Sequence, residues 1–176
     1  MLHAALVFPG VPHARLLGID ASPALELAGV HAVLTAQDVP GENQVGLVDS
    51  DQPLLPEETI RYTGDAVAIV VAETRSLARE AAARVRIDLE ELPAIFDAVQ
   101  AMSPDAPKVH EGGNVFLHYR VRKGDVEAGF EEADIIVERS FHTHHQEHSY
   151  LETLGAIAVP GEHGNMTVYG TMQCPY

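Results

Sequence analysis

The densest run of side chains suited to chemistry is His142-Thr143-His144-His145-Gln146-Glu147-His148. In an extended backbone alternate residues share a face, so His142, His144 and Gln146 point one way and Thr143 and His145 the other. Two histidines at i and i+2, with Glu147 or His148 beside them, make a partial donor set for zinc or another divalent cation. The run lacks a complete spaced motif such as His-Glu-x-x-His, and solvated or interfacial histidines are the commoner use of such a cluster. A metal-binding protein built on His142–His148 therefore stands as an alternative, and no metal ligand is assigned.

Other polar groups have plainer uses. In Gly124-Asp125-Val126-Glu127-Ala128 the aspartate suits a helix cap, because its carboxylate can accept from free N–H groups. Gly112-Gly113 has neither the spacing nor the lysine of a phosphate-cradling loop. Gly-x-Ser-x-Gly is absent, so no serine sits in a nucleophile elbow. The acidic pairs Glu57-Glu58, Glu90-Glu91 and Glu131-Glu132 diverge along their backbones and suit a solvated surface better than an acid/base dyad.

The elements that must position these groups follow from periodicity and punctuation. Leu2–Val7 and Arg15–Ile19 read as strands around a Pro/Gly turn. Ser22-Pro23 opens a short helix with Ser22 as N-cap, and Gly29 closes it. Val30–Leu34 is a strand, Thr35–Asp38 a turn, and Glu42–Glu58 a loop. Ala66–Ala72, apolar on both faces, predicts a strand inside a sheet. Thr74 caps a helix to about Arg84, with Leu77, Ala78, Ala81, Ala82 and Val85 as its apolar stripe and Glu80→Arg84 as an i,i+4 pair. With strand Val85–Leu89 following, this order predicts a right-handed β–helix–β crossover.

Ala94–Met102 reads as helical and Ser103–Gly113 as a linker. The pattern then restarts with strand Val115–Val121. A short helix capped by Asp125 follows, with Val126, Phe130 and Ala133 inward. Strand Ile135–Thr143 comes next, and then strands Ala156–Val159 and Met166–Gly170, joined through Gly161–Gly164.

Composition bounds the function. The 176 residues are 46% hydrophobic, with a mean hydropathy near zero, which suits globular material with one sizeable core. The longest apolar run, Ala66–Ala72, spans seven residues, too few to cross a membrane. The start lacks a basic region and meets Pro9 and Pro12 early, so no secretory signal is expected. A net charge of -15, from 26 acidic and 11 basic residues, repels phosphate backbones and argues against nucleic-acid binding. The single cysteine, Cys174, excludes a disulfide framework, a cysteine zinc site and an iron–sulfur cluster within this sequence. A cytoplasmic location is the expectation.

Several segments, in order, resemble the molybdenum-bearing subunit of the xanthine dehydrogenase/aldehyde oxidase family. They are Pro12-His13-Ala14-Arg15, Ile19-Asp20, Gly29-Val30-His31-Ala32-Val33-Leu34-Thr35-Ala36, Asp38-Val39-Pro40-Gly41, and Arg61-Tyr62-Thr63-Gly64-Asp65 running on through Ala66–Thr74. Downstream come Gly124–Ala128, Gln146-Glu147-His148-Ser149-Tyr150-Leu151-Glu152 and Gln173-Cys174-Pro175-Tyr176. Each string is weak alone; their joint order, covering almost the whole chain, is specific.

The resemblance implies an α/β (α+β) fold: an α/β-hammerhead domain over residues 1–102, a linker over 103–113, and the N-terminal part of a molybdopterin-binding domain over 114–176. It implies that Gln146 lies beside the molybdenum cofactor and hydrogen-bonds an oxo ligand, a task that suits a neutral amide donor. His144 and His145 depart from the family pattern, in which small residues, arginine or proline precede the glutamine.

The resemblance also places the family's pterin loops and catalytic glutamate beyond Tyr176, so no catalytic residue is assigned. The chain is expected to be a fragment or split subunit of a molybdenum hydroxylase acting on a purine, another N-heterocycle or an aldehyde, and inactive in isolation. Its implied partners are the remaining molybdenum-subunit chain or domain, iron–sulfur clusters and FAD on other domains or subunits, and a small-molecule substrate. Self-association through edges near Gly170–Tyr176 is also expected. A non-catalytic assembly module with the hammerhead fold is the second alternative.

Overall fold

The central strand β5 is flanked on both sides. In the computed structural model, which describes residues 1–46 and 50–171, β1 (His3–Val7), β3 (Val30–Leu34) and β5 (Ala68–Ala72) form one sheet in the order β1-β5-β3. Both pairings are antiparallel, with Ala5 opposite Val70 on one side and Val33 opposite Val70 on the other. The apolar run predicted an inner strand, and Ala68, Val70 and Ala72 are fully buried.

A second antiparallel sheet has the order β4-β2-β6, from β2 (Ala14–Asp20), β4 (Thr59–Ile60) and β6 (Arg86–Glu91). The expected β–helix–β crossover is therefore not formed. Helix α2 (Arg75–Ala82) joins strands of two different sheets. The burial of β6 explains why: Arg86, Asp88 and Glu90 are exposed while Ile87 and Leu89 are half-buried. A strand with one wet face suits an antiparallel sheet, whereas parallel strands are covered on both faces. Arg15 on β2 donates to Glu90 on β6 at 2.6 Å across this wet face.

Helix α2 begins where the sequence placed it. The Thr74 hydroxyl accepts from the Leu77 N–H at 3.2 Å, Arg84 pairs with Glu80 at 2.7 Å, and Ala78 and Ala81 are fully buried. Its apolar stripe packs on β1 and β5. Helix α1 (Ser22–Leu25) departs from expectation by one residue: Ala21 is the N-cap and makes no side-chain cap bond. Ser22 lies inside the first turn, and its backbone N–H donates to Asp20 Oδ1 at 3.0 Å, so the capping carboxylate comes from two residues upstream. Gly29 follows with φ +88, and its carbonyl accepts from the Glu73 N–H at 3.0 Å.

The predicted turn after β3 is a single 3-10 turn, Ala36–Asp38, closed by the Asp38 carboxylate accepting from the Thr35 N–H at 2.8 Å. Within the loop that follows, Asn43 grips the Leu55 backbone at both ends: its amide donates to the carbonyl at 2.7 Å and its oxygen accepts from the N–H at 3.1 Å. Another polar anchor is His13, only 6% exposed, whose Nδ1 lies 2.7 Å from the Pro93 carbonyl. The expected helix over Ala94–Met102 shortens to α3 (Ala98–Ala101), because Asp97 caps it by accepting from the Gln100 N–H at 2.7 Å. Asn114 then ties the stretch before it, donating to Ala101 and Pro107 and accepting from Val109.

Backbone proximity divides the chain into Met1–Arg120 and Val121–Tyr176. The second unit contains α4 (Val126–Glu131), capped as expected by Asp125 accepting from the Ala128 N–H at 3.2 Å. It also holds an antiparallel hairpin of β7 (Gly155–Pro160) and β8 (Met166–Thr171). The expected strands Val115–Val121 and Ile135–Thr143 have no ladder partners among the described residues, and neither is assigned as a strand. Nor do Val126 and Phe130 point into a core: they are 65% and 55% exposed. From Val115 to Thr171 every described residue is exposed except Ala128, which is half-buried. Periodicity marked these segments as half-buried strands, yet a strand needs a partner for its N–H and C=O groups, and no described segment supplies one. Of the carboxyl-terminal strings, Gln173-Cys174-Pro175-Tyr176 lies outside the described residues.

Candidate functional site

Gln146 sits in irregular backbone between α4 and β7 and is exposed. Among the described residues nothing hydrogen-bonds its amide, so both N–H groups and the carbonyl oxygen remain available to a ligand. The residues that follow it contact one another locally. Glu147 Oε1 accepts from the Ser149 N–H at 3.3 Å and lies 3.3 Å from His148 Nδ1. The His148 ring stands edge-on to Tyr150, with centroids 4.0 Å apart and planes at 83°. Ser149 has φ 47, a left-handed conformation that side chains other than glycine seldom adopt. The Glu147 carboxylate is thereby engaged by its own neighbours, Ser149 and His148.

The histidine cluster does not assemble as the extended-strand reading arranged it. The backbone through His142–His148 has no strand assignment, so the alternation that placed His142, His144 and Gln146 on one face lacks its scaffold. Among the described residues no group of three or more His, Cys, Asp or Glu is placed to hold a metal ion. The acidic pairs lie on the surface as expected, and Glu90 is engaged by Arg15. Sequence pattern does not single out Ser149 or its neighbours' contacts. A four-residue string of polar and aromatic side chains carries no periodic signal, and a positive φ at serine has no compositional mark.

The two-sheet unit and the irregular glutamine-bearing segment correspond to two family descriptions. Residues 1–93 match the a/b hammerhead domain of aldehyde oxidase and xanthine dehydrogenase, and residues 109–176 match the molybdopterin cofactor-binding domain. The chain belongs to the aldehyde oxidase and xanthine dehydrogenase family, and the expected mixed α/β hammerhead architecture is the one observed.

Among its relatives is a probable xanthine dehydrogenase component from Bacillus subtilis, 38% identical over all of this chain and 24% of that protein. The nicotinate dehydrogenase large molybdopterin subunit of Eubacterium barkeri is 36% identical, over all of this chain and 41% of that protein. Of solved structures, the aldehyde oxidoreductase of Desulfovibrio gigas superposes with a TM-score of 0.90 at 36% identity, covering 97% of this chain and 20% of that one. The chain thus spans well under half the length of these relatives. Among the described residues no helix is long and apolar enough to cross a membrane.

The donor chemistry at Gln146 fits an oxygen-rich anionic cofactor. A neutral amide donates hydrogen bonds without adding a charge that would bias the redox state. The nearest carboxylate in sequence, Glu147, already accepts from the Ser149 N–H, so it does not compete for the amide.

Proposed function

We propose that this chain supplies the hammerhead domain, over residues 1–102, and the opening of the cofactor-binding domain, over 114–176, of a molybdenum hydroxylase. Residues 103–113 link them. Gln146 is the cofactor contact. The observation that carries this reading is an exposed amide, without a hydrogen-bond partner among the described residues, within the span that matches the molybdopterin cofactor-binding domain. When bound, the molybdenum cofactor supplies the two-electron chemistry that hydroxylates an electron-poor carbon of a purine, another N-heterocycle or an aldehyde. Gln146 orients the cofactor by donating through its amide N–H. The hammerhead unit provides a rigid scaffold, because its central strand is paired on both edges and fully buries Ala68, Val70 and Ala72.

The whole enzyme's activity requires further partners: the rest of the molybdenum subunit, and iron–sulfur and flavin groups to carry electrons away. The isolated chain is expected to be inactive. Native mass spectrometry with molybdenum analysis of the chain purified from its host tests the reading. Arrival in a larger complex with molybdenum and pterin supports it, and Gln146→Ala should then lower kcat at least tenfold while the chain remains assembled. Arrival alone and metal-free, or full activity in Gln146→Ala, would sink it. The alternative metal site at His142–His148 predicts loss of bound metal in a His142→Ala/His144→Ala double variant, and unchanged metal content dismisses it.

A further inference from the structure

The sheet β1-β5-β3 has two open edges, and they are not alike. On β3 the register against β5 shifts between Val30 and Ala32, an irregularity of the kind that turns an edge strand away from new partners. β1 pairs with β5 without any shift from His3 to Val7. Its sequence, His-Ala-Ala-Leu-Val, has no lysine, proline or glycine to blunt the edge. Among the described residues no other strand pairs with its outer side. A groove of about 340 Å³ is bounded by Ala5–Phe8 and by Arg79, Ala82, Ala83 and Ile87. No residue of β5 lines it, so it lies on the outer side of β1. Leu6 and Phe8 at its rim are each 50% exposed.

Helix α2 brings to this groove a charge that is scarce in the rest of the chain. Arg75 and Arg79 stand one turn apart, on the stripe that continues to Ala82 and Ala83. Arg84 is held by Glu80 at 2.7 Å and Arg86 lies 3.8 Å from Asp20. Among the described residues neither Arg75 nor Arg79 meets a carboxylate within 4.0 Å. The end of a helix suits Arg79, but Arg75 opens the first turn, where the helix dipole disfavours a cation. The helix starts soon after Ala72, the partner of His3, so the stripe begins at the His3 end of β1. The net charge of -15 would repel an acidic partner at long range. Exposed charges are screened over about 8 Å at physiological salt, so the local sign governs docking.

We propose that the outer edge of β1 docks an extended acidic segment of a partner protein. The segment's backbone continues the sheet beyond β1, its apolar side chains enter the groove, and its carboxylates pair with Arg75 and Arg79. In strand addition of this kind main-chain bonds give the affinity and side-chain pockets the specificity. A guanidinium can receive a carboxylate through two parallel hydrogen bonds, which makes arginine a selective reader of acidic side chains. A second copy of this chain is a poorer occupant, because β1 carries no carboxylate to meet the two arginines. The inference stands independently of the role of Gln146.

The test titrates the full 176-residue chain, at about 0.15 M salt, with a blocked heptapeptide alternating valine and glutamate. The same peptide with lysine for glutamate is the control, and amide chemical shifts and hydrogen exchange are the readouts. The glutamate peptide should shift and protect amides within His3–Phe8. It should bind about fivefold tighter than the lysine peptide, the ratio that two exposed ion pairs supply. In Arg75→Glu/Arg79→Glu the preference should invert. Equal affinity for the two peptides, shifts confined to other elements, or no saturable shift below about 5 mM peptide would overturn the proposal. So would concentration-dependent dimerisation that shifts His3–Phe8 without peptide, which assigns the edge to a second copy. If the double variant fails to fold, Arg79→Gln decides: the preference for glutamate should fall to within about twofold, and an undiminished preference rejects the role of the arginines.

Discussion

Asp65 offers the sharpest test of how the two sheets of the first unit are joined. It is 7% exposed, and its Oδ2 accepts from the Arg61 N–H at 2.7 Å. The Asp65 N–H in turn donates to the Tyr62 carbonyl at 3.1 Å, so the two bonds close the turn from β4 into β5. One end of that turn is Ile60 and the other is Val67, both fully buried. Asp65→Ala removes a hydrogen bond to a charged acceptor and leaves the Arg61 N–H without it, a loss of about 1.5–3 kcal/mol. Asp65→Asn keeps a neutral acceptor oxygen in the same place and should lose about half as much. With a urea m-value of about 2 kcal/mol/M, the midpoint for Asp65→Ala should fall by about 1 M. The assay is urea unfolding followed by far-UV circular dichroism, with hydrogen exchange at Val70 and Val71 as a local report on β5. A midpoint within about 0.2 M of the parent for Asp65→Ala, or equal losses for the alanine and asparagine variants, would refute the argument that this carboxylate clamps the turn.

Three further outcomes are expected. Thr74→Ala removes the N-cap that accepts from Leu77, and should cost about 1 kcal/mol by the same urea assay, without changing the m-value. Hydrogen exchange should be slowest on β5 and fast from Ile135 to Tyr150, where no ladder exists; protection there equal to that of β5 in the isolated chain would contradict the arrangement described. The hydroxyl of Ser22 first, then its backbone N–H, hold the Asp20 carboxyl below its ordinary value of 3.8, with Arg86 adding a smaller push. Because the folded value is depressed, the stability this confers is present above the ordinary carboxylate value and is lost as pH falls through the folded one. A carbon-13 titration of the Asp20 carboxyl should show the depression, and Ser22→Ala should move it back upward.

Much of the local structure was legible in the residues themselves. Thr74 and Asp125 cap helices because a side-chain oxygen needs only to reach an N–H three residues on, a contact written entirely in neighbouring positions. Glu80 and Arg84 meet for the same reason. The apolar run from Ala66 to Ala72 announced an inner strand, and one of its faces is fully buried while Ile69 and Val71 on the other are half-buried. The ordered strings of the chain also announced its family, and Gln146 came with them.

What the tertiary structure alone decided is partnership. Whether α2 returns β6 to the sheet of β5 or hands it to β2 depends on contacts across many residues; the alternation of β6 favours an antiparallel neighbour but does not say which strand that is. Val115–Val121 and Ile135–Thr143 carry a strand's pattern without a strand's neighbour among the described residues, so neither forms a ladder. His13 reaches Pro93 across 80 positions, and Asn43 reaches Leu55 across 12, links that no windowed reading contains. The same holds at the site. The positive φ at Ser149 has no mark in composition and is visible only in the folded backbone, because a dihedral is fixed by the contacts on either side of it.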